Sequence, residues 1–160
     1  RAHTVAFTGH RSYSDEAKSE LEITIKSLYD RGFRQFMSGM AAGFDMSAAE
    51  AVLSLKQRCA DVRLVAVVPF TDHAKRFSGE LKEQYDAIIA SSDEVVVVSD
   101  DYSAWCYHLR NDFLVDKSSY VVAYYDGSNG GTRYTVKRAH SKHIPVENLY
   151  PDPQLNFFKL

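Results

Sequence analysis

A chain of 160 residues, 45% hydrophobic and 25% charged, is long enough for one globular domain with a core of its own. Its net charge of −2 advertises neither a nucleic-acid surface nor an anionic membrane as partner, and leaves only a local basic patch for such contacts. Two cysteines, Cys59 and Cys106, without CxxC spacing, exclude a disulfide framework and a zinc knuckle and are the pattern of a reducing cytoplasm.

The predicted elements alternate strictly. Residues 4–8 (TVAFT) are short, β-branched and apolar, and Gly9 stops them, which is the pattern of a buried strand. Ser14 then stands as the N-cap of a first helix, in which Ala17, Leu21, Ile25, Leu28 and Tyr29 recur at helical spacing until Gly32 closes the run. The same pattern continues with a strand at 34–38, a helix at about 44–58, a strand at 62–68, a helix at about 73–91 and a strand at 94–98. A helix at about 105–117, a strand at 119–125, a helix at about 132–142 and a short edge strand at 144–146 complete the chain. Strands that are apolar throughout, interleaved with amphipathic helices, predict an α/β fold: a mostly parallel sheet with helices on both faces. One domain is expected over residues 1–146, followed by a tail at 147–160. The longest apolar runs, such as Leu64 to Phe70, fall far below the roughly 18 residues that span a bilayer. No secretory leader opens the chain, although it starts at Arg1 rather than Met and an earlier targeting segment stays open.

In such sheets ligands bind outside the carboxyl ends of the strands. The chemically informative residues follow strands here: "TGHR" (8–11), "SGMAAGFD" (38–45), "PFTD" (69–72), "SDD" (99–101) and "DGSNGGT" (126–132). Glycines let a ligand approach bare backbone, and the N–H groups of the following helix favour a phosphate. Gly39, Gly43, Gly130 and Gly131 are therefore expected to form two ligand loops on neighbouring strands, joined by Gly9 at the same edge. Tight turns alone would also explain them. Thr132 is placed to cap its helix or to donate to a phosphate. His10 and Arg11 are expected at the crevice mouth, Arg11 to neutralise a phosphate and His10 to donate or titrate. Neither GxxxxGK[ST] nor GxGxxG nor GxSxG is present, which argues against a P-loop NTPase, a common dinucleotide dehydrogenase and a serine hydrolase. His140 and His143 lack a third partner, so no metal is expected.

The ordered set "TGHR", "SGMAAGFDMSAAEAV", "PF", "RNDFLVDKSSYVVAYYDG" and "GGTRYTV" resembles the YpsA-like proteins of the SLOG superfamily, which also holds the Lonely Guy phosphoribohydrolases and the DNA-processing protein A domain. The resemblance implies a Rossmann-like three-layer α/β/α domain whose glycine loops hold a nucleotide or nucleotide-derived ligand, such as one of ADP-ribose type. It places Met40 where the family's GGxxGxD loop has its second glycine. Asp45 opens the following helix, where it would accept a ribose hydroxyl or cap the helix. Arg110 falls at the arginine position of the phosphoribohydrolases, with Asn111 beside it, and Gly131 and Thr132 fall at the GT of PGGxGTxxE. The glutamate position becomes Thr135, which carries no charge for N-glycosidic hydrolysis. Asp126, Asp116 or Asp45 would have to substitute. Arg110 and Asp126 are the candidate catalytic residues, and Arg110 keeps a phosphate-binding role without catalysis. A surface pair of Arg110 with Asp112 or Asp116 is its alternative.

The leading expectation is thus a cytoplasmic nucleotide-binding sensor or carrier. A nucleotide N-glycosidic hydrolase comes second and a single-stranded DNA binder third, the last suggested by the DNA-processing relatives and by a basic run, Arg133, Lys137, Arg138 and Lys142, that a solvated helix face explains more readily. Trp105 and Tyr107 would stack on a base or pack in a core or dimer. The resemblance also implies a homodimer, and Phe157, Phe158 and Leu160 in the tail seek an apolar partner.

Overall fold

The computed structural model describes residues 3–151; the tail residues Phe157, Phe158 and Leu160 lie outside them. Strand β1 (Thr4–Gly9) is followed by α1 (Lys18–Asp30), β2 (Gln35–Ser38), α2 (Phe44–Lys56) and β3 (Arg63–Phe70). After a 3-10 turn (His73–Arg76) come α3 (Gly79–Ser91), β4 (Glu94–Ser99), α4 (Cys106–Asp116), β5 (Tyr120–Tyr124), α5 (Gly131–Ser141) and β6 (Val146–Asn148). The strands form one sheet in the order β4-β3-β2-β1-β5-β6, and every pairing is parallel. This is the expected Rossmann-like α/β fold.

The central strands are apolar throughout because both faces are covered. Side chains alternate across a strand, so Val5, Phe7 and Phe36 enter the core beneath α1, α2 and α3, with Leu21, Ile25, Val52 and Ile88. Ala6, Met37, Val121 and Ala123 enter the opposite core, beneath α4 and α5, with Leu114, Val115, Val136 and Ala139. Each fully buried Leu, Ile or Phe contributes about 1.5–3 kcal/mol. The helices therefore dock as the periodicity requires. Among the described residues no helix is long and apolar enough to cross a membrane.

Three departures from the expected elements have a local backbone cause. Helix α1 begins at Lys18 rather than after Ser14: Asp15 takes φ 62°, a left-handed conformation that no helix continues through, and the Ser14 N–H turns to the Glu16 carboxylate. The expected helix over 73–91 divides because Phe77 and Ser78 are extended, which leaves the 3-10 turn as a separate piece at the end of β3. The edge strand lies at Val146–Asn148 because Pro145 has no N–H to donate, although its carbonyl accepts from Val121 N–H at 2.9 Å. The sheet thereby runs beyond the expected boundary at 146, and the Asn148 side chain bridges the Tyr125 N–H and C=O, at 3.0 and 2.9 Å.

Candidate functional site

The turns leaving β1, β2 and β5 enclose a cleft of about 330 Å³ at the carboxyl edge of the sheet. The two glycine loops do not leave neighbouring strands, as expected; β1 stands between β2 and β5, and its His10–Arg11 turn separates them. The chain builds outward from β1 in both directions, so the cleft lies at the switch point where an open parallel sheet parts its loops.

The β1 turn forms the floor. A Cβ on Gly9 would lie 2.4 Å from the Phe44 ring, so only glycine lets the start of α2 close against the strand. The His10 carbonyl accepts the Phe44 N–H at 3.2 Å. Its ring Nε2 lies 2.9 Å from the Asp126 N–H and 2.8 Å from the Asp126 carboxylate. A neutral ring accepts from the N–H, whereas a protonated ring donates to the carboxylate, and either way the β1 turn is tied to the loop after β5. Ser128 donates to the same carboxylate from its hydroxyl and its backbone N–H. These bonds, with His10 beside them, hold Asp126 below the usual carboxylate range. Arg11 is exposed on the rim.

The loop after β2 supplies the second wall. Ser38 Oγ donates to the Asp45 carbonyl at 2.8 Å and accepts from Met40 N–H at 3.2 Å, which folds the loop back on α2. Met40 adopts φ 62°, the glycine conformation of the family pattern, while its side chain is fully buried. Gly43 has φ +82°, and a Cβ there would lie 2.5–2.6 Å from the Arg11 and His10 carbonyl oxygens. Asp45 is 5% exposed. Its Oδ2 accepts the Ala41 N–H at 3.3 Å, pinning the loop, and its Oδ1 is buried without a partner. Burial pushes the Asp45 pKa up to about 6, against the opposing pull of Arg110 and of the Ala41 N–H.

Arg110, in α4, is 6% exposed. Its Nη1 donates to the Gly39 carbonyl and its Nε to Asn111 Oδ1 at 2.8 Å, which leaves Nη2 outside both bonds, in a residue that lines the cleft. Burial lowers its pKa, and the nearby Asp45 charge works the other way. The expected alternative, a surface pair with Asp112 or Asp116, does not form. Both acids bind Arg138, at 3.2 and 2.9 Å, and Asp116 also binds Lys142 at 3.1 Å. Much of the basic run proposed as a DNA surface is therefore neutralised within the α4–α5 pair.

The start of α5 closes the cleft. Asn129, Gly130, Gly131 and Thr132 line it, and the helix has no side-chain N-cap, so its first-turn N–H groups await an acceptor. Thr135 donates its hydroxyl to the Gly131 carbonyl at 2.9 Å inside the helix and is absent from the wall.

Of the expected ligand residues, Gly9, His10, Arg11, Asp45, Arg110, Gly130, Gly131 and Thr132 share this wall. Gly39, Met40 and Gly43 lie behind it as supports. Asp126 sits outside it, engaged by His10 and Ser128, and among the described residues Asp45 is the carboxylate in the wall. Trp105 is 67% exposed; Tyr107 lines a smaller recess beside the cleft. Sequence reasoning did not name Thr8 or Asn129 as ligand residues, though both stand in its quoted "TGHR" and "DGSNGGT" motifs, and it missed His73 and Arg76 in that recess, whose place after β3 gave the signal.

The sequence profile of the YspA SLOG family matches residues 5–160. The SPbeta prophage-derived protein YoqJ of Bacillus subtilis (strain 168) is 27% identical over 153 residues, spanning 88% of this chain and 90% of its own. Among solved structures, DNA processing protein A from Streptococcus pneumoniae superposes with a TM-score of 0.66 at 21% identity, over 89% of this chain and 48% of that one. The protein of the same name from Helicobacter pylori gives 0.66 at 17% identity, over 89% of this chain and 63% of its own. These likenesses show the shared fold, and this chain spans about half to two thirds of both structures. With its profile matched over nearly the whole length and its glycine loops converging on one cleft, the chain belongs to the YspA SLOG family.

Proposed function

We propose that the cleft binds a nucleotide or nucleotide-derived ligand, its phosphate at the start of α5 and its ribose over Asp45, and that the protein serves as a sensor or carrier of that ligand. The observation that carries this is the Asp45 Oδ1 atom, buried without a partner in the wall of an open cleft. A buried carboxylate oxygen left unpaired costs about 1–3 kcal/mol or more, and a ribose hydroxyl donating to it would recover that. The uncapped N–H groups of α5, the Thr132 hydroxyl and Arg110 Nη2 supply donors for a phosphate. His10 and Arg11 edge the same space.

N-glycosidic hydrolysis is the second reading, and Asp45 is the observation that favours it, as the carboxylate in the wall. Single-stranded DNA, the ligand named for the Helicobacter pylori neighbour, is the third.

Thermal unfolding with AMP, ADP-ribose, NAD and a short single strand, each at low and high salt, separates the three. AMP at about a hundred times its dissociation constant is expected to stabilise the fold by roughly 2.7 kcal/mol in both salts. The charge-retaining Arg110→Lys variant, folded by circular dichroism, is expected to bind at least tenfold more weakly. The binding reading is refuted if no small nucleotide stabilises the protein at millimolar concentration, or if Arg110→Lys binds as tightly as wild type. Stabilisation by the single strand alone, lost at high salt, would favour DNA, and release of free base from AMP would favour the enzyme.

A further inference from the structure

Beside the cleft lies a second recess of about 240 Å³, bounded by Arg11, Ala41, Ala42, His73, Arg76, Phe77 and Tyr107. It shares Arg11 and Ala41 with the first, so Arg11 stands at the divide. Among the described residues no acid lines it. Arg76 is fixed by aromatic rings rather than by a carboxylate: its guanidinium lies 4.5 Å from the Tyr102 ring centre and 5.5 Å from that of Phe70. Of the two acids four residues away along the chain, Asp72 is taken by Lys75 at 3.4 Å and Glu80 stands in the first turn of α3. Stacking holds a guanidinium in place without cancelling its charge.

His73 reports the resulting potential. It is buried, with Nδ1 3.0 Å from the Tyr85 hydroxyl. Its pKa is brought down to about 4, by burial first and then by Arg110, Arg11 and Arg76, so at neutral pH it adds no charge. Two arginines flank a recess that holds no acid of its own, Arg11 feeling Asp45 from the neighbouring cleft, and such an arrangement favours an anion.

We propose that this recess is a second anion subsite, and that the ligand carries anionic groups at both ends of its sugar, as a nucleoside 3′,5′-bisphosphate does. The proposal rests on the phosphate-and-ribose reading of the first cleft. With one phosphate at α5 and the ribose over Asp45, the far side of the sugar faces Arg11, and a second phosphate there meets Arg11 and Arg76. A neutral base could fill the volume but would leave the Arg76 charge without a carboxylate or phosphate partner.

Isothermal titration of wild type and Arg76→Ala with AMP, ADP and adenosine 3′,5′-bisphosphate tests it. Arg76 is exposed on the 3-10 turn and outside the first cleft, so the variant is expected to fold and to bind AMP as wild type does. In wild type the bisphosphate is expected to bind at least tenfold more tightly than AMP, and Arg76→Ala to erase that advantage. ADP, whose second phosphate sits at the same end as the first, controls for charge alone, and its affinity relative to AMP is expected to be unchanged by the substitution. Equal affinities for AMP and the bisphosphate in wild type overturn the subsite while leaving the first cleft standing. An equal loss for AMP and the bisphosphate in Arg76→Ala also overturns it, and puts the base in the recess. Failure of both AMP and the bisphosphate to bind overturns the two readings together.

Discussion

Replacing Asp45 with asparagine removes the one titrating group whose burial is decisive for the cleft. The unfolded carboxyl titrates near 3.8 and the folded one near 6, so between those values the folded chain holds the proton more tightly. A raised carboxyl pKa contributes stability that is full below about pH 4 and is lost as pH rises through 6. At about 1.4 kcal/mol per pH unit, the amplitude of that loss is about 3 kcal/mol. His73 acts with the opposite sign: its lowered pKa contributes stability above its ordinary 6.5 that is lost as pH falls through 4. The wild-type curve is therefore expected to look flat across this window even though both groups titrate, and only a difference between proteins reveals either. The introduced amide resembles the protonated acid, keeps an acceptor for Ala41 N–H and does not titrate. Urea unfolding of wild type and Asp45→Asn from pH 4 to 8 is expected to show near-equal stabilities at the acid end. The variant should gain by about 3 kcal/mol toward neutral pH. A difference constant to within about 0.5 kcal/mol across that range would refute the burial argument, and with it the description of Asp45 Oδ1 as an unanswered acceptor.

Gly43→Ala forces a side chain into a left-handed position and against two carbonyl oxygens, so chemical denaturation is expected to show a loss of about 2–4 kcal/mol. Arg138→Ala breaks the clamp on Asp112 and Asp116, whose members are roughly a third exposed. A loss of about 1 kcal/mol at low salt, smaller in 1 M salt, is expected in the same assay, with AMP affinity unchanged.

The layer order of the molecule was readable from periodicity, because apolar strands and amphipathic helices bury different faces and must alternate as they do. Element ends were less readable, because local backbone geometry set them: Asp15 and Pro145 displaced a helix start and a strand start that side-chain pattern alone had placed. Around the cleft, the residues just after β1, β2 and β5 were legible from the rule that parallel sheets collect function at their carboxyl edge. Burial was not. Arg110 and Asp116 lie on one helix, six residues apart, and nothing in their spacing says that the first sinks beneath Gly39 while the second pairs across to α5. Nor could spacing place β1 between the two glycine loops, since strand order is a property of the assembled sheet.

The three turns around the cleft are fastened to one another: His10 carbonyl to Phe44, His10 ring to Asp126, Arg110 to the Gly39 carbonyl. No wall can swing outward without releasing its neighbours. For the ligand proposed above, recognition is accordingly expected to be of the lock type, set before the ligand arrives, with little ordering cost on binding and little room for a larger guest. On that reading, relatives that share the frame would change their ligand by exchanging side chains lining the cleft or the recess beside it, such as Arg11, Asn129 and Arg76, rather than by moving the backbone.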